Sequence, residues 1–436
     1  MWSGVGLVIA NMVGAGVFLS TGFMAQNMRP GFILLAWVVG AVLAMCGTVA
    51  YAEVARLVPR GGGEYRYLST LLHPALGYLA GWASLLVGFS APIAIDALAA
   101  GAFAHAVSAS LEPRIVGATL VIVLTAVHAF GLHLSARVQN ALVAVKVGLL
   151  TVFVLVCVVK GSLAWPTWVP PTASETPWGD LVGSLFYIAF AFSGWNAAIY
   201  ASDEFKNPAR DVPRAMLLGC LAVGLLYLVV NFAFVANLSP ADGTVVFHYN
   251  DFTAGKGDFE QVTLGQAVMA HLLGSDAARV MSAVMLLLFI SAMSAMMLVG
   301  PRVYAAMASD RFLPAALLPK EGQPPTLAVV LQGVLAVVLL MFQDLREVLN
   351  DIGAILVLFA ALTVLGLFAA RVRAKTKADQ PSMLSLAAAS VYVVSAGFML
   401  VRGLQSKSLI AWVAGFSVLG LVGWALTRRR QTPAAS

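Results

Sequence analysis

The chain has 436 residues, 60% hydrophobic and 11% charged, with a mean hydropathy of +0.89. Soluble domains carry about a quarter charged residues, so this composition excludes a water-soluble fold and intrinsic disorder alike and leaves a polytopic helical membrane protein. The formal charge of +6 does not point to nucleic acid, because the basic residues fall mostly in short loops between apolar runs, where they set topology.

Twelve apolar runs are expected to span the bilayer, at 3–26, 31–57, 74–108, 114–132, 135–160, 180–204, 214–238, 276–309, 325–342, 347–371, 382–402 and 408–427. Run 1 is interrupted by Val13-Gly14-Ala15-Gly16-Val17-Phe18. Glycine costs about 1 kcal/mol relative to alanine in a helix interior, although close helix packing also selects it. Run 3 carries Asp96 in its outer half, either facing a cavity or lying near the outer interface. Run 5 carries Lys146 about ten residues past its start, roughly 15 Å deep at the helical rise. A lysine near the bilayer centre costs at least about 2.5–3.5 kcal/mol on insertion scales. That depth predicts a buried lysine with polar partners rather than one that snorkels. Run 6 is interrupted by Phe190-Ala191-Phe192-Ser193-Gly194-Trp195-Asn196, and its end carries Asp203 and Glu204, expected in a helix-end ion pair before Lys206-Asn207-Pro208. The hydrophilic stretch 239–275 reads as a surface loop with room for a short helix. Ser291 and Ser294 share a face of run 8 as an i, i+3 pair and are either hydroxyl partners of Lys146 or packing serines.

The relation between the two interruptions adds to the reading of each. They lie five runs apart, and an odd repeat places the two halves in opposite orientation, the pattern of a transporter site. An unwound segment offers N–H groups at the start of one half-helix and carbonyls at the end of the other. The first suits a carboxylate and the second an ammonium, so a zwitterionic amino acid fits both. Seventeen Lys and Arg residues fall on the side of both termini and eight on the other, so both termini are expected in the cytoplasm. Cys46, Cys157 and Cys220 have no metal or disulfide spacing, His128 and His133 are isolated, and Gly61-Gly62-Gly63 follows no strand. No cofactor, metal or catalytic constellation is expected, and the sequence sets no oligomeric state.

With those residues in view, the sequence resembles the amino acid–polyamine–organocation transporters. The resemblance rests on Ile9 to Phe18, on Ala50 to Tyr65 with its Pro59-Arg60-Gly61-Gly62-Gly63-Glu64 core, and on Ser135 to Asn140 followed by Lys146. It continues through Phe190 to Asn196, Glu204 to Arg214, and Gly300 to Ala308. It implies an all-α LeuT-type fold of twelve transmembrane helices. The first five-helix repeat would fill 1–160 with an outer linker at 161–179, the inverted repeat 180–373, and two further helices and a tail 374–436. The Gly194-Trp195-Asn196 form is most similar to the L-type branch and its bacterial relatives. That likeness implies sodium-independent transport of amino acids, neutral ones foremost, across the inner membrane, by proton coupling or exchange. The implied substrate contacts are Met12, Val13, Gly14, Ala15, Gly16, Phe190, Ala191, Ser193, Gly194 and Asn196. The carboxylate would meet the amides around Gly14, Ala15 and Gly16, and the amine the carbonyls of Met12, Phe190 and Ser193. Phe190 would close over the substrate as an aromatic gate. Lys146, with Ser291 and Ser294, would serve coupling or gating, the lysine standing where relatives hold sodium. Many relatives carry Ser or Thr at the position of Ala15, so one hydroxyl contact is missing here. A polyamine or other amine transporter, and a non-transporting amino acid sensor, are the competing readings.

Overall fold

The computed structural model describes every residue except 130–135, 171–175, 239–263, 320–324, 343–344, 378, 404–406 and 432–436. His133 and most of the expected acidic loop lie outside the described residues. Among those described, all regular structure is helical. The first run divides into α1 (Trp2–Met12) and α2 (Ala15–Ala25), followed by α3 (Pro30–Leu57) and a short helix α4 (Gly63–Leu71). Next, α5 (Pro74–Ala83) runs through a π-helical stretch, Ser84–Ser90, into α6 (Ala91–Val107). Then come α7 (Pro113–Ala129), α8 (Ala136–Lys160), α9 (Pro177–Ala191), a four-residue α10 (Ala197–Tyr200) and α11 (Pro208–Ala236). The chain continues as α12 (Leu264–Leu273), α13 (Ser275–Ser309), α14 (Thr326–Phe342), α15 (Leu345–Arg373), α16 (Met383–Gly403) and α17 (Lys407–Gln431).

Each expected apolar run contains helix, and among the described residues eight helical stretches are long and apolar enough to cross a membrane. Others are shorter: α7 and α14 have 17 residues each. Proline opens α3, α5, α9 and α11, where its missing N–H has no intrahelical partner to lose. Run 6 breaks at its expected interruption: α9 ends at Ala191, four helical residues follow from Ala197, and Ser202–Glu204 is a 3₁₀ turn. The end of the hydrophilic stretch forms the short helix, Leu264–Leu273, and one expectation changes there: it is not at the surface, since Leu264, Gln266 and Val268 are buried. The Gln266 amide donates to Ser282 of α13 at 2.5 Å, which satisfies a polar group inside an apolar contact.

The core runs through the whole bundle. α3 packs on α11 and α16, and α6 on α7 and α13. The two broken runs meet inside this frame, α1 against α11 and α10, and α2 against α9.

Candidate functional site

Helix α1 stops because Val13 leaves helical geometry (φ −79°, ψ 89°) and Gly14 is extended (φ −133°, ψ −151°). The chain restarts as α2 at Ala15, so the break exposes the carbonyl end of one helix to the N–H end of another. The second break turns through Gly194, whose φ of +99° lies where glycine alone is unstrained. The two breaks touch through glycine. A Cβ on Gly16 would lie 2.5 Å from Ala191 Cα, and one on Gly194 would lie 2.9 Å from the Asn11 carbonyl carbon. Both glycines are therefore required for backbone-to-backbone approach between the broken helices.

Three side chains from intact helices converge on this junction. Lys146 of α8 is 1% exposed, and its ammonium donates to the Val13 carbonyl at 2.7 Å and the Ala10 carbonyl at 3.3 Å. The unwound end of α1, where a helix carries partial negative charge, thus binds a protein cation. Tyr227 of α11 places its hydroxyl 2.6 Å from the Met12 carbonyl and 3.1 Å from that of Ala191, spanning the two breaks. Asp96 of α6, 2% exposed, sets its carboxylate against Gly14, with Oδ2 3.1 Å from where a Cβ would stand. Its charge acts on both Lys146 and Tyr227. The carboxylate faces the broken run rather than the outer interface.

The structure distributes the expected site residues unevenly. Met12 to Gly16, Ala191 and Gly194 form the junction. Met12 already accepts from Gly14 N at 3.0 Å as well as from Tyr227. The Phe190 carbonyl accepts from Ser193 N at 2.9 Å as the chain turns. Lys146 bonds to carbonyls rather than to the two serines: Ser294 pairs with His128 at 3.1 Å, and the buried Ser291 hydroxyl meets no partner among the described residues. Asn196 is drawn into a different cluster. Its amide donates to Glu64 at 2.5 Å, as do the hydroxyls of Tyr200 at 2.5 Å and Tyr51 at 3.1 Å.

Glu64 is buried at the start of α4 and lines a cavity beside the second break together with Asn11, Phe89, Ser193, Asn196 and Met296. Below it, Tyr65 donates to Asp310, which pairs with Arg66 at 2.6 Å. Burial and the Asp310 carboxylate push the Tyr65 hydroxyl pKa up. Asp203, expected in an ion pair, instead accepts from the Gly61 N–H at 3.3 Å. Glu64 appeared in the sequence only as part of a shared motif, and Tyr227 as one more aromatic in an apolar run. No spacing marks either.

Apolar helices of spanning length, and two runs broken midway that are joined by their backbones and held by buried polar side chains, are those of a polytopic helical membrane protein. The profile of the amino acid permease family matches residues 1–424, and the chain belongs to that family, within the amino acid–polyamine–organocation superfamily. It is an integral membrane protein. It is 25% identical over 430 residues to the large neutral amino acids transporter small subunit 2 of Rattus norvegicus, covering 94% of this chain and 76% of that one. It is 23% identical to the Asc-type amino acid transporter 1 of Mus musculus (95% and 77% covered). It is 24% identical to the b(0,+)-type amino acid transporter 1 of Mus musculus (96% and 84% covered).

Proposed function

We propose that this protein is a sodium-independent secondary transporter of amino acids, neutral ones foremost, working by alternating access in the bacterial inner membrane with both termini in the cytoplasm. The observation that carries the reading is the Lys146 ammonium on the Val13 and Ala10 carbonyls. A fixed cation already neutralises the unwound end of α1, so a bound sodium ion is not needed there. The amino acid transporters named above support the cargo. The proposed architecture is the LeuT type, twelve spans built as five, five inverted and two. In it the substrate carboxylate lies at the amides of Gly14, Ala15 and Gly16, its amine lies at the carbonyls of Met12, Phe190 and Ser193, and Phe190 closes the site. The Met12 and Phe190 carbonyls each already accept from a backbone N–H, so the amine shares acceptors that the turns of the chain partly fill, and the carboxylate meets the N–H end of α2.

The test is uptake of a labelled amino acid mixture into sodium-free proteoliposomes under an inward proton gradient, with empty and with amino-acid-loaded lumens. Uptake without sodium is expected. Collapse of uptake into empty vesicles when the gradient is removed marks proton symport, and uptake only into loaded vesicles marks exchange. No uptake by folded protein in either arrangement overturns the amino acid reading. One observation favours a second reading, amine or polyamine transport: two buried carboxylates, Asp96 and Glu64, lie beside the two breaks. Labelled putrescine in the same vesicles separates the two.

A further inference from the structure

The carboxylate of Asp96 stands against Gly14, immediately before α2 begins at Ala15. That is the place the proposed function gives to the substrate's carboxylate, and the present inference rests on that reading. The positive end of a half-helix and the N–H groups of its first turn stabilise one anion well. Two carboxylates in contact there, enclosed by protein, do not both stay charged. Among the described residues, the titratable side chains around the junction include Lys146 on α8, Tyr227 and Cys220 on α11, His128 on α7 and, across the cavity at the second break, Glu64 on α4. Of these, Lys146 is held by two carbonyls, Tyr227 spans the breaks and His128 pairs with Ser294. Glu64 is occupied by Asn196, Tyr51 and Tyr200 at the second break, and among the described residues Asp96 is the carboxylate set against Gly14 at the start of α2.

We infer that Asp96 is the proton-linked residue of the substrate site: as a substrate carboxylate settles at the start of α2, Asp96 takes up one proton. The proton comes from the solution on the side from which substrate enters and bonds to an Asp96 carboxylate oxygen. The substrate carboxylate then serves as the counter-charge to Lys146. When the substrate leaves toward the opposite side, Asp96 ionises again and releases the proton there. One proton moves with each amino acid, in the same direction. Asp96 is a coupling residue, and the half-helix amides remain the binding groups.

The sign follows from mass action. Binding that requires a protonated Asp96 is tightest at low pH and weakens by up to about tenfold per pH unit once Asp96 is ionised in the unoccupied site. The experiment uses purified full-length protein in nanodiscs, with L-leucine as probe. Tritiated leucine binding is followed from pH 5.5 to 8.5, and a pH-indicator dye in weakly buffered medium records protons taken up on leucine addition. Wild type is expected to absorb up to one proton per leucine bound and to lose affinity as pH rises. Asp96→Asn is expected to bind leucine with a flat pH profile and no proton uptake, and Asp96→Ser serves if the asparagine variant does not fold. Leucine binding by wild type without proton uptake overturns the inference while leaving the amino acid reading intact. Wild-type proton uptake and slope retained in the Asp96 variants also overturn it. Absence of any amino acid binding by folded wild type overturns the amino acid reading, and this inference with it.

Discussion

Lys146→Met retains most of the apolar stem and deletes the ammonium. The Val13 and Ala10 carbonyls, at 2.7 and 3.3 Å, lose their donor. An unsatisfied buried acceptor costs about 1–3 kcal/mol, although hydrogen bonds between membrane helices average nearer 0.6 kcal/mol. An electrostatic effect adds to it. The ammonium bonds to the two carbonyls and not to Asp96, but the Asp96 charge acts on it, so removing the ammonium also removes a favourable neighbour of a buried carboxylate. Adding Asp96→Asn removes that charge, so the double variant is expected to be more stable than Lys146→Met alone, with a coupling energy of about 0.5–3 kcal/mol. Thermal unfolding of the four proteins in one detergent, read by tryptophan fluorescence, gives the order of stability. If the two substitutions add without coupling, the charges do not act on each other and the electrostatic account of the junction is wrong.

Tyr227→Phe removes one oxygen and leaves the ring in place. The hydroxyl's bond is worth about 0.6–1.5 kcal/mol, so uptake is expected to fall roughly three- to tenfold in proteoliposomes with little change in unfolding temperature. Gly16→Val pushes a branched side chain into the Ala191 backbone, only 2.5 Å from a Cβ at this site, and is expected to abolish uptake while the protein still reaches the membrane, as checked by membrane-fraction immunoblot. Glu64→Ala leaves the amide of Asn196 and the hydroxyls of Tyr51 and Tyr200 without their shared acceptor. Hydrogen bonds to charged groups are worth about 1.5–3 kcal/mol each, so α4 is expected to loosen from α10. A cysteine placed at Ala197 should then react faster with an impermeant maleimide.

Much of the fold was legible because hydropathy in a bilayer is a strong constraint: each long apolar stretch must satisfy its backbone internally and so forms helix. The breaks were legible because glycine at 14, 16 and 194 is costly in a helix unless something requires it. What composition could not give is facing. Ser294 and His128 are 166 positions apart in sequence, and nothing local says that the serine turns to the histidine rather than to Lys146. Tyr227 has the same difficulty, since an aromatic in an apolar run packs equally well in any direction. Its role depends on a hydroxyl whose two acceptors lie on other helices. Asn196 was legible as polar within a break, but its partner Glu64 is 132 positions away and comes into reach only through the short helix α4.

The wide turn at Ser84–Ser90 sets the azimuth of everything that follows it in the same rod. A π turn accommodates an additional residue without ending the helix, and one residue corresponds to about 100° of rotation at 3.6 residues per turn. Asp96 comes two turns later and so owes its bearing toward Gly14 to that surplus. Deleting a single residue from this stretch would restore ordinary winding and swing the carboxylate to another side of the rod, with no side chain at the junction altered. The acid at the centre of the carrier is thus aimed by a winding defect more than one helical turn away.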